Sequence, residues 1–420
     1  MAIETNLKLR NMTIYQVYLR NHTIEGTINE FINDLDRIKK LGVDIVYLMP
    51  IHSIGQKQKK GELGCPYSIK DYYSINEEYG DLEDFKGLIE EVHKRDMLIM
   101  IDIVMNHTSR DSKLIEEHPE FFYKNDKGEF ANRVGDWWDI TDLDYANKEL
   151  WKYMIDMLKY WANLGLDGFR ADVASIVPLD FWKEARKEIS KINSDFIWLA
   201  ESIHLGFVRY LRDCGFEACS DSQLFEAFDI EYTYDFWDEQ AGFFEGELEL
   251  KDWVRTLEYQ QGMYPENYVK LRCLENHDQP RVASYDLNIE TLTAFIFFQQ
   301  GATMIYAGQE YKDDLLPSLF DKDIINFSKG DITNLITRLA KLKKDPLFAC
   351  GKYHVTCLDD IVVSSFEDSN SKIIGIFNFG ETKEIELEVN DGEYINLIND
   401  KTFNINCSKV NVEKVIIFKI

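Results

Sequence analysis

Residues 166–172 read LDGFRAD, an apolar run that ends on an arginine and an aspartate two places apart. In a strand those two side chains share a face, so the reading predicts a strand with an ion pair at its C-terminal end. Just before it, residues 147–163 set Leu150, Met154, Met157, Leu158 and Trp161 on one stripe at helical spacing. Just after it, a helix over 179–191 leads to a second short apolar run, FIWLAE (196–201), which also ends on a charge. The unit is strand, helix, strand, with polar residues gathered at one end of each strand.

The same beat extends in both directions. TIYQVYL (13–19) reads as a strand, followed by Thr27 and Glu30 in the spacing of a capping box and by Ile28, Phe31, Ile32, Leu35 and Ile38 at helical spacing. Next come strand DIVYLMP (44–50), a helix over 82–95 and strand LIMIDIV (98–104). Beyond residue 201 follow a helix over 205–213, a weak strand near 216–220, strand YVKLRCLENHD (268–278), a helix over 288–299, strand TMIYAG (303–308) and a helix over 331–343. Eight such beats predict an α/β chain built on a (β/α)8 TIM barrel. The rival, a doubly wound open sheet, wants a glycine-rich phosphate turn after the first strand, and the sequence has none.

Two stretches break the beat. Residues 107–146 are too many for a loop between strand and helix and predict a small inserted domain after the third strand. From 345 onward short alternating runs, among them KYHVTCL, DIVVSSFE, KIIGIFNF and KVIIFKI, are separated by turns such as DSNS and NDGE. They predict a C-terminal antiparallel β-sandwich. The expected organisation is a barrel from 1–106 and 147–344, an inserted domain over 107–146 and a sandwich over 345–420.

Composition narrows the function. A hydrophobic content of 45% over 420 residues excludes a disordered chain. A formal charge of −27 makes nucleic acid and anionic membrane poor partners. The seven cysteines include no C-x-x-C, which argues against a zinc ribbon or thioredoxin site and fits a reducing compartment. The opening residues MAIETNLKLRNMT lack the apolar core of a signal peptide, and no run reaches membrane-spanning length. The expectation is a cytoplasmic protein, with a secreted mature form left open.

In a barrel the C-terminal ends of the strands form the active face. Asp102, Asn106 and His107 close the third strand, Arg170 and Asp172 the fourth, Glu201 the fifth, and Asn276, His277 and Asp278 the seventh. Three carboxylates, Asp172, Glu201 and Asp278, are therefore expected at one mouth. Two carboxyls about 5 Å apart can cleave a glycoside with retention, one attacking the anomeric carbon and the other donating and then recovering a proton. Arg170 supplies the cation that keeps Asp172 ionised. Glu201, flanked by Trp198, Leu199 and Ala200, is placed to be desolvated and protonated. Each piece taken alone has a bland reading, and the Arg170–Asp172 pair alone is more often structural; the joint placement carries the argument. A metallohydrolase would want H-x-H or H-E-x-x-H, and an enolase-type site a lysine at a matching strand end; neither is present.

The segments DIVMNH (102–107), GFRADVAS (168–175), LAES (199–202) and ENHD (275–278) resemble, in order and spacing, the four signature regions of the α-amylase superfamily, glycoside hydrolase family 13. The likeness runs from IYQVYLR (14–20) through PYSIKDYYSINEEYGDLEDF (66–85) to the C-terminal strands. The resemblance implies that Asp172 is the nucleophile, Glu201 the general acid/base and Asp278 the third acid, which grips sugar hydroxyls. It implies that Arg170 orients the nucleophile, that His107 and His277 bind the sugar next to the cut, and that Tyr67 stacks under that sugar with Asp71 supporting it. Arg281 resembles a substrate-contacting arginine, and Asp102 and Asn106 resemble structural residues.

The implied reaction is retaining hydrolysis of α-1,4-glucosidic bonds in starch-type glucans or maltooligosaccharides, with no cofactor required. A 4-α-glucanotransferase or glucosyl-isomerising enzyme would keep the same site, and a non-catalytic relative would have lost acids. Calcium is left open: the first loop, RNHTIEGTIN (20–29), lacks a D-x-N-x-D-G pattern, and Asn106 with Asp142 offers only two oxygen ligands. Trp137 and Trp138 are candidates either to stack on sugar or to pack the inserted segment.

Overall fold

The protein is described from a computed structural model over residues 4–420. Eight short runs of the chain become eight parallel strands: β1 (Thr13–Val17), β2 (Ile45–Leu48), β3 (Leu98–Ile103), β4 (Gly168–Ala171), β5 (Ile197–Ala200), β6 (Ile230–Tyr232), β7 (Lys270–Arg272) and β8 (Ala302–Tyr306). They pair in the ring order β1-β8-β7-β6-β5-β4-β3-β2 and close on themselves. Alternation along each strand divides the side chains. Ile14, Tyr47, Met100, Leu199, Tyr232 and Met304 fill the inside of the barrel, while Tyr15, Val46, Ile101, Phe169 and Trp198 pack outward against the helices. Burial of each large apolar side chain contributes roughly 1.5–3 kcal/mol. At Gly168 a Cβ would stand 2.8 Å from Ile197 O and 3.1 Å from Met100 Cε, so β4 approaches its neighbours as closely as it does only because the residue has no side chain.

The helices follow their sequence signals. Helix Lys148–Asn163 starts on Asn147, whose side chain accepts from Glu149 N–H, and Trp161 on its apolar stripe donates to Tyr72 O. Thr27 caps the first helix as its spacing implies, but the predicted single helix breaks at Asn33–Asp34 into Ile28–Ile32 and Leu35–Lys40. Asp34 there pairs with His22 and Arg37.

The sixth strand is not where the sequence suggested. Residues 216–220 form no strand, and β6 lies at Ile230–Tyr232. Its middle residue, Glu231, points away from the barrel interior toward Lys270 Nζ at 3.5 Å, beside Asp235 at 3.4 Å and Asp221, all of them buried. A three-residue strand centred on a buried acid leaves no apolar run to read. The polar and aromatic stretch beyond it holds helices Trp237–Phe244 and Leu250–Met263.

Between β3 and helix Lys148–Asn163 the chain makes an excursion anchored by a two-stranded ribbon, His107–Ser109 against Ile140–Asp142. Beyond residue 351, β9 (Lys352–Leu358), β10 (Ile361–Glu367) and β11 (Lys372–Asn378) form an antiparallel sheet closed by Val415–Lys419. One face of it packs Phe366 and Phe377 onto Phe298 of the barrel's outer helices. The other face, through Ile374, Ile376 and Phe418, meets Ile385, Ile405 and Val410 from two small ribbons. Two ribbon strands, Thr402–Ile405 and Lys409–Val412, have no counterpart in the sequence reading, because polar residues alternate through them without an apolar run. Among the described residues no helix is long and apolar enough to cross a membrane.

Candidate active site

The parallel register of β3 and β4 places Asp102 beside Arg170, and that of β4 and β5 places Ala171 beside Ala200. The next residues in the chain, Asp172 and Glu201, therefore emerge together above the barrel. Arg170, fully buried, is the hub. Its Nη1 donates to both Asp102 carboxylate oxygens at 2.9 Å and to Asp172 Oδ1 at 3.1 Å. Its Nη2 lies 2.9 Å from Glu201 Oε1, an ion pair without hydrogen-bond alignment. One guanidinium thus serves three carboxylates, Asp172 among them as the sequence implied.

Asp172, Glu201 and Asp278 line one cavity of about 320 Å³, together with Tyr67 and His107. The sequence missed much of the remaining lining: Lys60, Cys65, Asp139, Ile140, Val173, Leu319 and Phe320. Lys60, Cys65, Asp139, Leu319 and Phe320 sit on loops whose composition carries no motif, Ile140 begins a short ribbon strand, and Val173 lies within the GFRADVAS segment but was not singled out. Trp137 lines the cavity with its ring 5.6 Å from that of His107. Trp138 is 55% exposed at the rim and carries Lys60 Nζ 4.7 Å above its ring. A larger cleft of about 980 Å³, bordered by Arg133, Trp151 and Arg212, contains none of the three acids.

Tyr67 stacks on His277 with ring centroids 5.4 Å apart. Its hydroxyl lies 2.6 Å from His277 Nε2 and 3.0 Å from Asp102 Oδ2. Tyr47 also donates to Asp102, at 2.7 Å. Gln16 of β1 donates to His277 Nδ1 at 2.8 Å, which leaves the proton on Nε2 facing Asp278 Oδ2 at 2.9 Å. His277 is therefore a buried support for Tyr67 and Asp278 and does not itself line the cavity, whereas His107 does.

Two expected site residues lie elsewhere. Asp71 does not support Tyr67; its carboxylate pairs with Lys113 and accepts from Tyr73 N–H, and Tyr67 takes Asp102 as its acid instead. Arg281 does not reach the cavity. Its guanidinium is buried against Glu275 Oε1 at 2.6 Å, Ala307 O at 2.8 Å and the Tyr306 ring at 4.2 Å. The buried Glu275 carboxylate demands that cation.

Asn106 and Asp142 do come together, but not as metal ligands. Asn106 Nδ2 faces Asp142 Oδ1 at 3.3 Å, while Arg133 donates its backbone N–H to Asp142 Oδ2 at 2.8 Å and brings Nη1 to 3.4 Å. A donor amide and a cation occupy the places calcium would need, so these residues do not fit the ion.

Electrostatics follow from burial. Asp172 is pushed well above the ordinary carboxylate range by burial and by the Glu201 charge, with Arg170 pulling it back. Glu201 is raised by burial against Arg170, with Asp278 adding to the rise. The two therefore titrate as a pair. Asp278 differs: burial pushes its carboxyl up, but His277 outweighs that and holds it below the usual range. Burial lowers His107 to about 4, so its ring is neutral at pH 7. Val173, directly after Asp172, adopts φ 37° and ψ 46°, a left-handed conformation that strains a β-branched residue. That turn aims its N–H at Glu201 Oε2, 2.7 Å away. The strain is spent on fixing the second carboxyl relative to the first.

A barrel whose strand ends gather three acids, a stacking tyrosine and a neutral histidine round a sugar-sized hollow defines a class of carbohydrate-processing enzyme. Comparison with known proteins makes the class specific. The α-amylase catalytic domain matches residues 13–138 and 122–316, and the bacterial α-amylase C-terminal domain matches residues 353–418. The chain belongs to the α-amylase family of glycoside hydrolases. An α-amylase from Lactobacillus plantarum superposes with a TM-score of 0.96 at 40% identity, over 99% of this chain and 100% of that one. A maltogenic α-amylase from Thermotoga neapolitana superposes with a TM-score of 0.87 at 32% identity, over 98% and 99% of the two chains. The intracellular maltogenic amylase of Bacillus subtilis is 30% identical over 69% of this chain and 49% of its own length. The chain spans between 49% and 64% of the length of the first curated relatives it matches.

Proposed function

We propose that the protein is a retaining α-glycosidase acting on α-1,4-linked glucans or maltooligosaccharides. The observation that carries this is the shared guanidinium: Asp172 and Glu201 both contact Arg170 across one cavity that Asp278 also lines. Carboxyls held that close suit double displacement rather than the wider spacing that admits a water between them. Asp172 attacks the anomeric carbon while Glu201 protonates the departing glycosidic oxygen. Glu201 then takes a proton from water, which attacks the glycosyl-aspartate and restores both groups. Three acids round one cation retain a proton; burial raises both Asp172 and Glu201, so the pair shares it, and attack proceeds from the form that carries it on Glu201. Asp278, held ionised by His277, is placed to accept sugar hydroxyls, and Tyr67 offers the ring face for stacking.

The substrate class rests on the relatives, among them an α-amylase, two maltogenic amylases and a maltosyltransferase named for α-1,4-glucan; the maltogenic amylase named as intracellular also supports a cytoplasmic location. A maltosyltransferase of Picrophilus torridus, 26% identical over 84% of this chain, favours a second reading in which a sugar replaces water as acceptor. Incubation with pure maltotriose separates them: longer oligosaccharides mean transfer, glucose and maltose alone mean hydrolysis. Asp172→Asn and Glu201→Gln are each expected to lower turnover by at least about a thousandfold with the circular dichroism spectrum unchanged. Near-native activity in either refutes the assignment.

A further inference from the structure

We infer that the cavity is closed on the glycone side and that the enzyme works from the non-reducing end of its substrate, removing units of one or two sugars. The inference rests on the glycosidase reading above and deepens it.

The barrel's ring order fixes the directions. β5, which carries Glu201 at its end, stands four places from β1 in a ring of eight, directly across the mouth. The loops after β2 and β8 flank β1 and therefore rise opposite the acid. Glu201 protonates the leaving oxygen, so the leaving arm of the substrate exits on the β5 side. The arm retained on Asp172 points across the mouth, toward those two loops.

There the structure has a wall. Leu63 N–H of the loop after β2 donates to Phe320 O of the loop after β8 at 3.0 Å, and Glu62 N–H donates to Asp321 Oδ1 at 2.7 Å. Gly61, at φ +61°, lies so near that a Cβ would stand 2.6 Å from Phe320 Cβ. From the same loop Lys60 Nζ reaches Asp139 Oδ1 at 3.1 Å and ties the seam to the excursion after β3. The seam is fixed from below: Leu319 O accepts from the Tyr18 hydroxyl at 3.0 Å and from Arg20 Nη1 at 3.1 Å. Three loops are thus joined by one backbone–backbone bond, one backbone–carboxylate bond and one ion pair across the path a longer glycone would take. The cavity they close off, about 320 Å³, is at the small end of ligand sites. An internal bond of a polymer needs sugar on both sides of the acid, and here only one side is open.

The test uses the intact protein and maltohexaose labelled at its reducing end, either free at the non-reducing end or blocked there by a 4,6-ethylidene group, with β-cyclodextrin as a substrate that has no ends. The free chain is expected to lose one- or two-unit fragments from its non-reducing end. The blocked chain and the ring are expected to react at least about a hundredfold more slowly. A double variant, Lys60→Ala with Phe320→Ala, cuts back the two side chains that line the cavity from the seam and is expected to raise the blocked-to-free rate ratio at least about tenfold. Cleavage of the blocked chain or the ring at a rate comparable to the free chain overturns the inference, and that comparison needs no variant to fold. A free chain left intact overturns the glycosidase reading and the inference with it.

Discussion

Arg170 carries one charge and faces three carboxylates, and that imbalance has a consequence for stability. Burial and the Glu201 charge raise Asp172 above its unfolded value. The folded state therefore binds the proton more tightly than the unfolded chain, so stability is full below the unfolded value and is lost as pH rises through the folded one. Asp172→Asn removes an acid that works against folding near neutral pH. It is expected to stabilise the protein by roughly 0.5–2 kcal/mol at pH 8, with a smaller gain at pH 5, while abolishing turnover; thermal melts of both proteins at the two pH values measure it. Parent and variant melting alike at pH 8 would mean that Arg170 compensates Asp172 fully. At this scale the sequence was readable where chemistry concentrates in motifs: Asp172, Glu201 and Asp278 share the cavity the strand ends implied. It was unreadable where a side chain's partner comes from a distant segment. Nothing near Arg281 announces that Glu275 will claim it, and nothing near Tyr67 says that its acid is Asp102 on another strand rather than Asp71 four residues on.

The elements obey periodicity except where a polar cluster replaces it. Long amphipathic helices such as Lys148–Asn163 match the reading closely because their apolar stripe is long enough to average out local exceptions. β6 escaped it because its middle side chain is buried in company with Asp221, Asp235 and Lys270 between strand and helices. That cluster makes its own prediction. Lys270→Met leaves three buried acids without their cation and is expected to destabilise the protein by about 3–5 kcal/mol. Glu231 is raised well above its ordinary value by burial, with Lys270 opposing, so its contribution to stability also falls as pH rises. Glu231→Gln should therefore gain stability over the parent between pH 5.5 and 8.5, and urea titrations at both ends would reveal a gain of that sign. A gain that shrinks with pH would mean the carboxylate is ionised and well served by Lys270.

Across the whole molecule, the barrel and the C-terminal sheet were legible because each imposes one pattern over many residues, a strand–helix beat or a two-residue alternation. The loops that shape the cavity were not, since their positions depend on contacts between segments more than 250 residues apart, as at Leu63 and Phe320. The excursion after β3 is held in part by Arg133 on Asp142, an internal cation in place of a bound one. EDTA is accordingly expected to leave the melting temperature unchanged, while Arg133→Ala lowers stability by roughly 1–3 kcal/mol; a fall on chelation alone would show that a metal supports this region. The seam between the loops after β2 and β8 also governs traffic. A room with a single door empties in a set order: the fragment released first must clear the threshold before water can come in, and any sugar waiting outside competes for that same doorway. Raising the sugar concentration should thus divert flux from hydrolysis toward chain rebuilding, with no change in the chemistry at Asp172.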